Sequence, residues 1–204
     1  AGGGDGRPSS ETFLVRDTRY TLFAVGGVSL CSDSPVMTAI QNQAKSNDGL
    51  VLLGDVVSLD DFPSSASDDM ATDHPAYQKI KSLANSFHDF YIIPGEKEWR
   101  SGKEVSSNTL QSLDKLLKDV KDKGRVLMPA KECSMPDVIR LTDNTVLVLM
   151  DSEWALESET HPGDNLPGCE LNNVLELRNA IKGIIQSHRS DQIIFATHHP
   201  LYAN

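Results

Sequence analysis

Five short apolar runs along the chain stop in the same way. Tyr20 to Val25 (YTLFAV) ends at Gly26-Gly27, Leu50 to Leu53 at Gly54-Asp55, and Phe90 to Ile93 at Pro94-Gly95. Thr145 to Met150 ends at Asp151, and Gln192 to Ala196 ends at Thr197-His198-His199. Short apolar runs that close on Gly, Pro or polar clusters predict buried strands that run into tight loops. Val126 to Met128 and Val138 to Leu141 are weaker strand candidates. Between these runs the period changes. Val36 to Lys45 follows Ser32-Asp33-Ser34-Pro35, a capping cluster that predicts a helix start. Ala76 to Phe87 puts Ile80, Leu83, Ala84 and Phe87 on one helical face. Asn108 to Lys123 does the same with Leu110, Leu113, Leu116 and Leu117, and Asn173 to His188 with Leu175, Leu177, Ile181 and Ile184. Strands that alternate with helices predict an α/β domain with a parallel or mixed sheet covered on both faces.

The chain has 204 residues, the size of one domain with extensions, and 39% apolar residues, enough for a core. A formal net charge of −10 argues against a nucleic-acid-binding surface. No apolar run approaches the ~20 residues that cross a bilayer, so no transmembrane segment is expected. Residues 1–18 begin AGGGDGRPSSE and read as a flexible tether or a frayed terminus ahead of a domain over 19–204. Cys31, Cys133 and Cys169 form no CxxC pair, which disfavours a cysteine zinc site. Cys133 and Cys169 both sit in loop-like sequence and are either a disulfide, if the compartment is oxidising, or free thiols.

Loops at the carboxyl ends of strands are where α/β proteins keep their chemistry. If the five strands are neighbours, their ends gather Asp55, Glu96, Lys97, Glu98, Asp151, His198 and His199. Such carboxylates and imidazoles would suit one or two divalent metals, and a two-metal site clamps the oxygens of a phosphoester displacement. Each residue also has a structural reading. Asp55 could bond the backbone of its own loop, and His198 and His199 could be a packed pair. Glu96-Lys97-Glu98 could be a solvated turn, and Asp151 and Trp154 a polar strand end and an aromatic plug. The acids Asp60, Asp61, Asp68, Asp69 and Asp73 lack the spacing of a calcium loop.

The order of these strand ends resembles the calcineurin-like metallophosphoesterases, which include purple acid phosphatases. "GGVS", "LLGDVV", "PGEKEW", "DSEW" and "HHPLYAN" follow one another as that family's motifs do, from about Tyr20 onward. The nearest branch is the bacterial envelope phosphoesterases, some fused to outer-membrane assembly barrels. The resemblance implies a layered α/β/β/α sandwich with mixed sheets, here lacking its C-terminal part, because no Gly-His-x-His occurs. It matches Asp55 to a metal-bridging carboxylate and His198 to a metal-binding histidine. Gly27 and Ser29 stand where ligands would be. Glu96, Lys97 and Glu98 replace the ligand Asn, the catalytic His and the Asp. The expectation is therefore a degenerate phosphoesterase-fold module, a non-catalytic binding or scaffold part of an envelope or secreted protein. Its partner would be an outer-membrane or envelope protein, and no cofactor is expected. Lys97 would then serve as a surrogate cation beside Asp55, Glu96 or Asp151. The alternative is a metal-dependent phosphohydrolase with Zn, Mn or Fe on Asp55, Glu96 and His198. A third reading is a small-molecule binding domain that uses the same cleft.

Overall fold

The computed structural model describes residues 20–62, 72–122, 124–130, 134–156 and 171–200. Three parallel strands, β1 (Leu22–Val25), β2 (Gly49–Leu52) and β3 (Asp89–Ile92), form one sheet in the order β1-β2-β3. Two-residue strands β4 (Arg100–Ser101) and β5 (Glu104–Val105) make a small antiparallel hairpin. A second three-stranded sheet holds β6 (Asp137–Thr142), β7 (Thr145–Leu149) and β8 (Gln192–Ala196). In it β6 runs antiparallel to β7, and β8 parallel to β7. The chain is thus mixed α/β.

The helices are α1 (Pro35–Gln43), α2 (Pro75–Asn85), α3 (Glu96–Trp99), α4 (Ser107–Leu117), α5 (Ser152–Leu156) and α6 (Val174–Ser187). Their starts have identifiable causes. The side chains of Ser34, His74, Ser106 and Asn173 accept backbone N–H bonds from the first turns of α1, α2, α4 and α6. Proline opens α1 and α2, where its missing N–H costs nothing.

Alternation along β2 divides the core. Leu50 and Leu52 join a cluster with Met37 of α1, Ile80 and Leu83 of α2, and Leu113 and Leu117 of α4. Val51 points the other way and meets Leu147 and Leu149 of β7 and Ala196 of β8, together with Ile93. β2 is buried along its whole length, which is why it reads as an unbroken apolar run.

The structure departs from the sequence reading in four places. α4 stops at Leu117 instead of reaching Lys123. Beyond it, the Lys121 ammonium bonds the carbonyls of Phe87 and His88 after α2, so the segment turns toward that helix. Residues 126–128 meet β3 only through a parallel bridge between Ile92 and Leu127. α3 and α5 add single helical turns at Glu96–Trp99 and Ser152–Leu156, too short to carry a periodic signal. The β4–β5 hairpin was not foreseen; Asp60 anchors it by accepting from Ser101 Oγ and Gly102 N–H. Residues 1–18, Asp68, Asp69, Cys133 and Cys169 lie outside the described residues.

Candidate functional site

The strand ends do meet. Leu53 N–H donates to Val25 C=O, Gly27 N–H to Gly54 C=O, and Met150 N–H to Ala196 C=O. The two sheets are joined there by His198, whose Nδ1 lies 2.7 Å from the Leu53 carbonyl. A carbonyl only accepts, so His198 carries a proton on Nδ1 and presents Nε2 to the site. That Nε2 lies 3.8 Å from Asp55 Oδ2.

This approach needs glycine at two places. A Cβ on Gly54 would sit 2.6 Å from His198 Nδ1 and 2.8 Å from Gly95 N, and Gly54 has φ +80°. A Cβ on Gly95 would sit 2.8 Å from Asp55 Oδ1. Asp55 itself adopts φ 57°, a conformation that short polar side chains tolerate best. Its Oδ1 accepts the Lys97 backbone N–H at 2.9 Å, so Asp55 does bond a loop backbone, though of the neighbouring strand end.

Glu96, Lys97 and Glu98 go three separate ways. Glu98 is fully buried and accepts four backbone N–H groups, from Asp55, Val56, Val57 and Gly95. Glu96 pairs with Arg100 at 2.5 Å across one helical turn. Lys97 is exposed, and its ammonium forms no ion pair with Asp55, Glu96 or Asp151. The surrogate-cation expectation is therefore corrected. The physical reason is that backbone donors and Arg100 already balance these acids, while Asp151 balances itself by another route. Among the described residues, no three His, Cys, Asp or Glu side chains form a group that could hold a metal ion. Asp55 and His198 come together, but Glu96 does not complete a set with them.

Asp151 is a buried hub. Its Oδ2 accepts from Trp99 Nε1 at 3.0 Å and from Ser134 Oγ at 3.2 Å, and its Oδ1 accepts Trp154 N–H. It thereby ties the "EKEW" and "DSEW" segments together. Burial pushes its carboxyl up to about 7, against the lowering effect of these hydrogen bonds. Folding thus favours the protonated form. Asp151's contribution to stability is full below its unfolded value near 3.8 and is lost as pH rises to about 7. Chemical denaturation across pH 4–7 should show Asp151→Asn gaining stability relative to the native chain as pH rises; a constant difference between the two proteins would show that Asp151 does not titrate in this range.

Gly27, at φ +66°, faces open space, and Ser29 Oγ is taken by the Cys31 N–H. Cys31 is a free, half-buried thiol that burial pushes up to about 12, which disfavours its thiolate. His199 packs edge-on against His198, with ring centroids 4.7 Å apart. Burial and the neighbouring His198 hold His199 below the usual imidazole range. Its partners, Ser152 and Glu153, were not singled out in the sequence, although "DSEW" follows directly on a strand.

No family model, no curated protein and no solved structure matches this chain. Among the described residues, no helix is long and apolar enough to cross a membrane.

Proposed function

We propose that this chain is a degenerate module of the calcineurin-like metallophosphoesterase class that binds or scaffolds instead of hydrolysing phosphoesters. In this reading its two sheets stack as the middle layers of an α/β/β/α sandwich, and its place is the bacterial envelope, beside an outer-membrane or other envelope partner. The observation that carries the reading is the fate of Glu96-Lys97-Glu98. One acid is spent on four backbone N–H groups, the other on Arg100, and the lysine side chain faces solvent. None of the three side chains is offered to a metal at Asp55. The pattern of strand-end contacts supports the class, because Asp55 and His198 meet as the resemblance requires.

One observation favours a hydrolase with a single metal. The Leu53 carbonyl fixes His198 on Nδ1 and aims Nε2 toward Asp55, as outer-shell partners orient metal-binding imidazoles. Metal analysis of purified protein after incubation with Zn, Mn or Fe, with p-nitrophenyl phosphate turnover, separates the two. The expected result is substoichiometric metal and no turnover. Stoichiometric metal with turnover that is lost in Asp55→Asn would establish the hydrolase instead.

A further inference from the structure

Beside the Asp55–His198 contact, three polar side chains form a chain of their own. Ser152 is the first residue of α5, three residues beyond Leu149 at the end of β7. Its Oγ lies 3.0 Å from His199 Nδ1. His199 Nε2 in turn lies 3.5 Å from Glu153 Oε2. The Glu153 side chain is 8% exposed and that of His199 36%, so the acid is sheltered and the imidazole can be reached from solvent.

The protons follow from the partners. The approach of Glu153 Oε2 to within 3.5 Å of Nε2 favours the His199 tautomer that carries its proton there. Nδ1 is then the acceptor, and the Ser152 hydroxyl donates to it. The His199 backbone N–H donates to the same Oγ at 3.0 Å and fixes its position. It uses one lone pair of the hydroxyl oxygen and leaves the other. A hydroxyl, a base that takes its proton and an acid that orients the base are the parts of an activated nucleophile. Here they use the two ring nitrogens in the sense opposite to the familiar serine triad.

We propose that Ser152, with His199 as base and Glu153 as positioning residue, is a metal-independent nucleophile toward carboxylic esters. Ser152 Oγ attacks the ester carbonyl carbon, and its proton passes to His199 Nδ1. The bond from carbonyl carbon to alkoxide oxygen breaks, and the leaving alkoxide takes that proton as it departs. Water then hydrolyses the acyl-Ser152 by the reverse proton route. The proposal is independent of the phosphoesterase reading and concerns different atoms.

The test uses the native chain in EDTA with a fluorophosphonate probe, whose fluoride leaves as the phosphorus–oxygen bond forms. A single adduct mapped to Ser152 is expected, together with p-nitrophenol release from p-nitrophenyl acetate. Ser152→Ala should lose both. His199→Asn should slow labelling by about 100-fold. Glu153→Gln should lower the limiting labelling rate while leaving the half-saturating probe concentration unchanged, a split that a merely structural role would not produce. An unlabelled native chain, an adduct mapped elsewhere, labelling abolished by EDTA, or labelling of His199→Asn as fast as native would each overturn the proposal. Because the adduct is mapped on the native chain, a variant that fails to fold does not blunt the test.

Discussion

Glu98→Ala is expected to bring the domain close to unfolding. The Glu98 carboxylate is fully buried and serves four backbone N–H groups on the two loops that follow β2 and β3. Truncation leaves those donors without an acceptor. Each buried unsatisfied donor costs about 1–3 kcal/mol, and bonds to a charged acceptor are the stronger kind. The losses are not additive, so the expected total is about 4–6 kcal/mol rather than the full sum. That is a large part of the ~5–15 kcal/mol by which domains are stable. Urea denaturation reads the loss directly. Glu98→Gln keeps the shape but replaces one acceptor oxygen with a donor amide, so it should fall between native and Ala. A loss below ~1 kcal/mol in Glu98→Ala would mean that water takes over the donors, and the carboxylate would not be the clasp described above.

Gly54→Ala should cost almost as much, for a steric reason. Its Cβ would lie 2.8 Å from Gly95 N and 2.9 Å from Gly95 Cα, backbone atoms that cannot swing away, and 2.6 Å from His198 Nδ1. Its φ of +80° adds a penalty for any side chain. Together these predict a loss of about 3–5 kcal/mol. Gly27→Ala is the control. Gly27 has φ +66° but nothing within 4 Å of its Cβ, so only the backbone term remains, about 1–2 kcal/mol. Thermal or urea denaturation of the pair separates crowding from conformation. Equal losses would mean that the β2 and β3 loops part easily, and that the Asp55–His198 contact is not held by close approach.

These two expectations describe one device. Glu98 bonds the loop backbone from one side while Gly54 and Gly95 let the same loops touch on the other. Asp55 and His198 sit on that contact. The site's geometry therefore depends on groups that touch no ligand.

Most of the architecture was legible from local pattern. The alternation of short apolar runs with 3.6-period stretches determined the α/β class, the order of the larger elements and the gathering of polar residues after the strands. Such signals are local, because side-chain direction repeats every two residues in a strand and every three to four in a helix. The start of α1 was legible for the same reason, because Ser34 of the capping cluster bonds Met37 three residues ahead. α3 and α5 were not, since a single turn has no period to read. What tertiary structure alone decided is how each charge is satisfied. Nothing in the tripeptide Glu96-Lys97-Glu98 distinguishes its two acids, yet one is buried and the other exposed. The difference comes from a loop about 42 residues earlier, whose N–H groups point at Glu98 only because β2 and β3 are paired. Likewise Ser152, Glu153 and His199 meet only because β7 and β8 are neighbours that end at the same level. A residue's type sets what it can bond; its partner is set by which distant backbone the packed sheets bring within about 3 Å of it.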